Sequence, residues 1–301
     1  MRRSIFISAV SGWLASFVAL TNAADIRISD HPSYDIVLEG TISPGDYDKL
    51  RDLIDPGCGV LKYNGRLEST SIFLASPGGS LTEAMKIGRL IRALRWETRI
   101  PFDYPANLRR KIEAAISLKN SNSFLCTSAC FFVFVAGFMR SDDFPSPGIN
   151  PVLGIHRPHL SDADLKVLSA SQAMASAAEV RTVVEMYLKE MAVSLKYADL
   201  MFSIPRDKVR LISRAEFDAD LSGYVPEIKD WINARCDKGT DVEKRLLDVL
   251  EERFGRRERL SPEDNALRGT LLKKLLVPKI DCEHDVIEKL RKDALRAYCG
   301  L

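Results

Sequence analysis

The sequence predicts an α/β fold followed by a helical C-terminal extension. The first observation is the apolar run Ser71–Ala75, which suits a parallel strand buried on both faces of a sheet. The second is the Gly78-Gly79 turn directly after that run, and the third is the amphipathic helix predicted over residues 81–94. A strand, a tight turn and a helix in succession are typical of α/β proteins.

Length and charge restrict the functions open to this chain. Its 301 residues can bury a substantial core, and hydrophobic and charged contents of 46% and 28% are typical of globular proteins. The formal net charge is only +2, from 43 basic and 41 acidic residues. Because so small a charge provides no strong field, neither nucleic acid nor an anionic membrane is expected as a partner.

The first 23 residues are typical of an export signal. Arg2 and Arg3 supply the positive start, residues 5–20 form the apolar body, and a small-residue cleavage site ends at Ala23. An uncleaved anchor is the alternative, because the apolar run is only slightly shorter than a membrane span. No later stretch of the sequence is long and apolar enough to span a bilayer, so the mature chain is expected to be periplasmic or secreted.

An exported location makes the six cysteines a candidate disulfide framework. They are Cys58, Cys126, Cys130, Cys236, Cys282 and Cys299. A helix predicted over residues 283–298 would separate Cys282 from Cys299 by roughly 25 Å, too far for these two to pair. Three cysteines lie in the body and three near the end, so full pairing requires at least one bridge between them. None has the C-x-x-C spacing of a structural zinc site, and no metal is expected.

Further elements are predicted in order along the body. Strands are expected over residues 35–38, 98–102 and 153–155, and helices over residues 46–54, 108–118 and 162–191. The helix at 108–118 belongs to a polar insertion, which is interpreted as a solvated surface excursion rather than a lid. Ser213 and Glu216 have capping-box spacing and start a short helix.

The C-terminal residues 236–301 are predicted to be helical. Thr240 with Glu243 forms another capping box, Ser261-Pro262 supplies an N-cap and a first-turn proline, and Pro278 marks a helix stop. An apolar face is formed by Leu246, Leu250, Leu267, Leu271 and Leu275. This extension is therefore expected either to pack on the body or to form an oligomer contact.

Ser128 heads a run rich enough in Phe, Val and Ala to be a buried helix. Unpaired N–H groups and the positive end of the helix dipole would favour an attacking alkoxide there, although a plain N-cap is the alternative. The Gly78-Gly79 turn is either an oxyanion hole or only a sharp turn. His156 follows a short apolar step and is suited to moving protons near neutral pH, unless it is a hydrogen-bonded structural histidine.

Three segments together resemble the proteolytic subunit of the Clp protease, a family of the crotonase-like fold. They are Ser76-Pro77-Gly78-Gly79-Ser80, the Ser128-Ala129 junction with its apolar helix, and His156-Arg157-Pro158. Their order and spacing agree with the family over roughly residues 35–225. The resemblance implies a spiral of ββα units over residues 24–235, with residues 236–301 as a helical extension.

The resemblance also implies a Ser-His-Asp triad. Ser128 would be the nucleophile, His156 the base and Asp207 the acid, with the amides of Gly79 and Ala129 as oxyanion donors. Asp207 stands about fifty positions after the histidine in an Arg-Asp pair, as the family's acid does. Asp199 and Asp218 are substitutes for it. Phe124 and Cys130 stand where the family has glycine.

The expected function is that of an exported serine hydrolase, a peptidase that cleaves small or unfolded polypeptides through an acyl-enzyme. The family's partner is a cytoplasmic ATP-driven unfoldase, so no ATPase partner and no cofactor are expected for an exported chain. The family also suggests a homo-oligomer. A catalytically inactive binding or scaffold protein is the main alternative. A coenzyme-A enzyme of the same superfamily and a serine-lysine signal peptide peptidase are two further ones.

Overall fold

The computed structural model describes residues 23–29, 35–54, 71–141, 149–158, 169–205 and 207–300. Several sequence predictions lie outside these residues: the signal segment up to residue 22, Cys58, Arg206 and the first part of the helix predicted from residue 162. The described residues form a mixed α/β structure with two sheets, as the sequence predicts.

The larger sheet has six strands. In spatial order they are β1 (Asp25–Ile28), β2 (Ile36–Glu39), β3 (Ser71–Ala75), β4 (Glu97–Arg99), β6 (Met139–Arg140) and β9 (Gly223–Tyr224). The four middle strands are parallel, and β1 and β9 are antiparallel edges. In β3, Ile72 and Leu74 contact the main core, whereas Phe73 and Ala75 contact a second apolar cluster. The prediction of a parallel strand buried on both faces is confirmed.

The smaller sheet has three strands and carries the region of interest. They are β5 (Cys126–Thr127), β7 (Leu153–Ile155) and β8 (Arg210–Leu211), in that spatial order. The first two are parallel, with Thr127 opposite Gly154, and β8 runs antiparallel to β7. Ser76, which follows β3, forms a bridge with Cys126. The ends of β3, β5 and β7 therefore lie beside one another.

Seven helices lie along the described part of the body. They are α1 (Asp46–Asp52), α2 (Leu81–Ala93), α3 (Ala106–Ala115), α4 (Ala129–Val135), α5 (Ala170–Glu190), α6 (Lys196–Ser203) and α7 (Arg214–Glu216), the last of which continues as a π-turn over Phe217–Leu221. Every residue of α4 is buried. The hydroxyl of Tyr187 on α5 donates to the Phe132 carbonyl of α4 at 2.9 Å. Gly88 on α2 leaves the space for that hydroxyl. The buried helix predicted after Ser128 is confirmed.

The C-terminal part is helical, with one departure from the prediction. Its helices are α8 (Pro226–Cys236), α9 (Asp241–Gly255), α10 (Pro262–Leu271) and α11 (Val277–Cys299), and a π-turn over Leu272–Leu276 joins the last two. The N-caps at Thr240 and Ser261 are confirmed. Pro278 was wrongly predicted as a stop, because it lies in the first turn of α11. That helix follows the π-turn directly, and a proline is tolerated in the first turn of an α-helix.

The C-terminal helices pack on the body. Ile232 of α8 and Ile287 of α11 form one apolar cluster with Phe138 and Val225. The Arg291 guanidinium also donates to the carbonyl of Arg95, in the body, at 3.3 Å. Of the two alternatives for the extension over residues 236–301, packing on the body therefore holds for α11.

Two disulfides join described cysteines. Cys236 pairs with Cys282, with Cα atoms 5.5 Å apart, and Cys126 pairs with Cys130. Cys299 is also disulfide-bonded. The prediction that Cys282 and Cys299 do not pair with each other is confirmed. Among the helices of the described residues, none has both the length and the apolarity of a bilayer span.

Candidate active site

Ser128 forms a sharp turn between β5 and α4. Its backbone has φ 59° and ψ −125°, a left-handed conformation that costs a non-glycine residue about 1–3 kcal/mol. The Ser128 amide donates to the Gly154 carbonyl at 3.0 Å, and its carbonyl accepts from the Phe131 amide at 3.0 Å. The side chain makes no capping hydrogen bond. The interpretation of Ser128 as a plain N-cap is therefore wrong.

The Ser128 hydroxyl instead meets His156. Its Oγ lies 2.5 Å from the Nε2 atom of the imidazole. This contact follows from the register of the small sheet, because the parallel strands β5 and β7 end side by side and each is followed by one of the two residues. Both side chains are half-buried, so the pair is shielded yet within reach of a ligand.

The contact of the other imidazole nitrogen indicates which tautomer the neutral ring adopts. His156 Nδ1 lies 2.8 Å from the carbonyl oxygen of Arg157. Because a carbonyl oxygen can only accept, Nδ1 must carry the hydrogen of the neutral ring. Nε2 is then the acceptor that faces the Ser128 hydroxyl, which is the arrangement that a general base needs.

The glycine turn after β3 lies directly against Ser128. A Cβ atom at Gly78 would be 2.5 Å from the Ser128 Cβ and 2.8 Å from its Oγ, and φ at Gly78 is 102°. At Gly79 a Cβ would lie 2.1 Å from the Ile42 carbonyl oxygen, and φ is 137°. The turn is held by Ile42, whose amide donates to the Gly78 carbonyl at 2.8 Å and whose carbonyl accepts from Ser80 at 2.8 Å. Both positions thus require glycine.

Two backbone amides remain available beside the hydroxyl. Within the described parts of the chain, neither the Gly79 amide nor the Ala129 amide donates to a protein acceptor. The Gly78 amide, in contrast, donates to the Ser76 hydroxyl at 3.0 Å. Ala129 is the first residue of α4, where N–H groups lack helical partners and the dipole is positive. Both amides predicted from the sequence are therefore free to bind a negative oxygen.

The structure does not bring Asp207 to His156. The Asp207 side chain is 75% exposed and pairs with Lys208 at 3.5 Å, and no hydrogen bond or ion pair joins it to the imidazole. The register explains this, because Ile155 lies opposite Arg210, so residue 209 rather than 207 faces His156.

The two substitute acids are also engaged elsewhere. Asp199 pairs with Arg181 on α5. Asp218 pairs with Arg214 at 2.8 Å. Neither carboxylate hydrogen-bonds to His156. None of the three acids predicted from the sequence therefore orients the imidazole.

Two arginines hold the far end of α4. Arg140 is fully buried, and its guanidinium donates to the Val135 carbonyl at 2.8 Å and to the Met191 carbonyl at 2.9 Å. Arg92 donates to the Ala136 carbonyl at 2.7 Å. Burial, together with the charge of the neighbouring Arg92, lowers the pKa of Arg140 to about 9. These cations stabilise the negative end of the helix whose positive end carries Ser128.

A cavity of about 440 Å³ opens at the other end of the small sheet. Its lining includes Phe124 and Val152, which precede β5 and β7, whereas Ser128 and His156 follow those strands. A second feature lies elsewhere. His284, Asp285 and Glu288, on the exposed face of α11, are the one group among the described residues whose side chains have metal-ligand spacing. Neither feature contacts the Ser128 site.

Sequence reasoning did not predict the pairing of Cys126 with Cys130 across Ser128. The available signal was the placement of the two cysteines two residues before and two after the serine. A scan against protein-family models and a search of curated proteins find no match for this chain.

Proposed function

We propose that this protein is an exported serine hydrolase, acting as a peptidase through an acyl-enzyme on Ser128. The observation that carries the proposal is the 2.5 Å contact between the Ser128 Oγ and the His156 Nε2 at a residue with a strained backbone. Strained conformations cluster at active sites, because the surrounding structure must hold them against their cost. A structural serine at this position would serve the helix as a cap instead.

The proposed chemistry needs only groups that belong to the site. His156 Nε2 takes the hydroxyl proton as Ser128 Oγ attacks a carbonyl carbon, and the developing oxyanion accepts from the amides of Gly79 and Ala129. His156 then gives the proton to the leaving amine. Water then attacks the ester while His156 takes one of its protons. His156 returns that proton to Ser128 Oγ as the bond to the acyl group breaks, and the carboxylic acid product leaves.

The Arg157 carbonyl, in this proposal, helps to orient the imidazole of His156. It holds the neutral imidazole in the tautomer with hydrogen on Nδ1. A neutral carbonyl stabilises the imidazolium less than a carboxylate does, because it carries only a partial charge. The proposal is therefore built on Ser128 and His156, with the Arg157 carbonyl as the described acceptor at Nδ1, and Asp207 is left out of it.

The resemblance to the Clp protease subunit and its crotonase-like spiral belongs to the same proposal. Its support is the order of the three sequence motifs, together with the α/β class of the described structure. Export is supported by the two described disulfides, since disulfides persist in oxidising compartments outside the cytoplasm.

A fluorophosphonate probe tests the proposal, because it forms a stable ester only with an activated serine. We expect the wild-type protein to be labelled at Ser128, and Ser128→Ala and His156→Ala to remain unlabelled. Ser80→Ala is the matched control, since Ser80 also precedes a helix after a strand, and it should label like the wild type. Absence of labelling on folded wild-type protein would favour the inactive scaffold. Unchanged labelling of His156→Ala would favour a serine-lysine pair.

A further inference from the structure

The reactive turn lies inside a closed covalent ring. Cys126 and Cys130 form a disulfide with Cα atoms 5.3 Å apart, and Ser128 is the middle residue of the five that it encloses. Both cysteines are fully buried. The disulfide therefore lies in the protein interior beneath the site and not on the surface.

The bridge joins the two elements that meet at Ser128. Cys126 belongs to β5, where its amide donates to the Val152 carbonyl at 2.8 Å, and it also forms a bridge with Ser76. Cys130 lies in the first turn of α4 and contacts the main core. A single covalent link thus fixes the end of a strand to the start of a helix across the turn that carries the nucleophile.

Such a link has a physical purpose at this position. Ser128 holds φ 59° and ψ −125° without the glycine that would adopt a positive φ freely and without a capping hydrogen bond. A strained residue keeps its conformation only when its surroundings determine it. Two backbone hydrogen bonds contribute, at the Ser128 amide and carbonyl, and the ring adds a constraint that does not open by fluctuation.

The same five residues determine the orientation of both the Ser128 hydroxyl and the Ala129 amide. The Ser128 side chain points to the His156 Nε2, and the next amide along the chain, that of Ala129, is one of the two donors for the oxyanion. A change in the dihedral angles between Cys126 and Cys130 would move the nucleophile and this donor together. It would leave the Gly79 donor in place, because that turn is held by Ile42.

We propose that the Cys126–Cys130 disulfide is a positioning element that holds the Ser128 hydroxyl and the Ala129 amide in their reactive geometry. This inference rests on the proposed function of Ser128. It goes beyond a role in stability, and a ring closed over a sequence separation of only 4 removes less freedom from the unfolded chain than a longer ring does. The Cys236–Cys282 bridge, with a separation of 46, should contribute more to stability.

The test compares the two bridges in the full-length protein. Cys126→Ala with Cys130→Ala removes the first, and Cys236→Ala with Cys282→Ala removes the second as the matched control. For each variant, fluorophosphonate labelling gives a maximal rate and a half-saturating probe concentration, and thermal unfolding gives the Tm. We expect the first variant to lose about 100-fold in maximal rate with the half-saturating concentration unchanged, since a misplacement of about 1 Å costs that much. The control should keep the wild-type rate and lose more Tm.

Each outcome decides the proposal. Wild-type rates in the folded Cys126→Ala, Cys130→Ala variant would overturn it, as would equal losses of rate in both variants. If wild-type protein is not labelled, the proposed function and this inference fail together. If the first variant does not fold, wild-type protein is reduced with a phosphine and then reoxidised. Mass spectrometry follows the peptide with residues 126–130, and the labelling rate should fall and recover with that bridge.

Discussion

Two serines that precede helices, Ser80 before α2 and Ser128 before α4, are used in opposite ways. Ser80 has an extended backbone with φ −65°, and its Oγ accepts from the Glu83 amide at 3.3 Å as an ordinary cap. Ser128 has φ 59°, makes no cap, and turns its Oγ to His156. One residue type therefore serves helix stability at the first junction and chemistry at the second.

The difference follows from which residue makes the turn. Before α2 the positive φ angles fall on Gly78 and Gly79, so Ser80 can relax into the cap conformation. Before α4 no glycine is present, and Ser128 itself takes the positive φ angle. The hydroxyl is thereby withdrawn from the helix end. The Ala129 amide, at the first position of α4, is available for a ligand.

The largest expected effect comes from replacing the strained serine with glycine. Ser128→Gly should abolish fluorophosphonate labelling, and its free energy of unfolding should rise by about 1 kcal/mol, because glycine adopts a positive φ without a Cβ clash. Urea unfolding measures the second effect. A decrease in the free energy of unfolding would show that the backbone at this junction is not under strain.

A large but incomplete effect is expected from crowding the same hydroxyl. Gly78→Ala places a Cβ 2.5 Å from the Ser128 Cβ, so the nucleophile must shift and the labelling rate should fall by about 100-fold. Gly45→Ala is the control, because Gly45 also has a positive φ, of 95°, but has no atom within 4 Å of a Cβ. Equal labelling rates in the two variants would contradict the close packing of the glycine turn on Ser128.

A smaller effect, confined to stability, is expected at the other junction. Ser80→Ala removes the cap of α2 and should lower the free energy of unfolding by about 1 kcal/mol. Urea unfolding and probe labelling, measured on the same preparation, check this separation. A labelling rate that fell with the stability would mean that the cap of α2 also holds the reactive geometry.

The smallest effect is expected at Asp207. Asp207→Asn removes an exposed ion pair, which contributes about 0–1 kcal/mol, and should leave the labelling rate almost unchanged. A true triad acid would instead reduce the rate by about 10⁴-fold. A loss of that order would restore Asp207 to the site.

Much of the fold and site could be predicted, because local chain chemistry determines it. The apolar run Ser71–Ala75 ends at two glycines, and this is enough to predict a buried strand followed by a sharp turn. The pairing of Ser128 with His156 was predicted instead from the order of three motifs that resemble the Clp protease subunit. In the structure the parallel strands β5 and β7 bring these two residues to one edge.

The features that the sequence did not predict depend on strand register and on contacts that form only in the folded chain. Asp207 was placed by its distance along the chain, yet the pairing of Ile155 with Arg210 sets residue 209 opposite His156, and Asp207 pairs with Lys208. The ring across Ser128 could not be deduced from cysteine counting, because the 5.3 Å approach exists only once the turn has formed. Pro278 was judged by its usual effect in a helix interior, whereas its position within the helix decides.

The link between Arg95 and the last helix also bears on how the chain reaches its native state. The Arg95 guanidinium donates to the Leu290 carbonyl, a contact between residues 195 positions apart in the sequence. Contacts of such high sequence separation form late, because a long loop must close before they contribute. A nascent chain cannot form this contact until the residues of α11 have been synthesised and have emerged. This side of the body is therefore completed only when α11 packs against it.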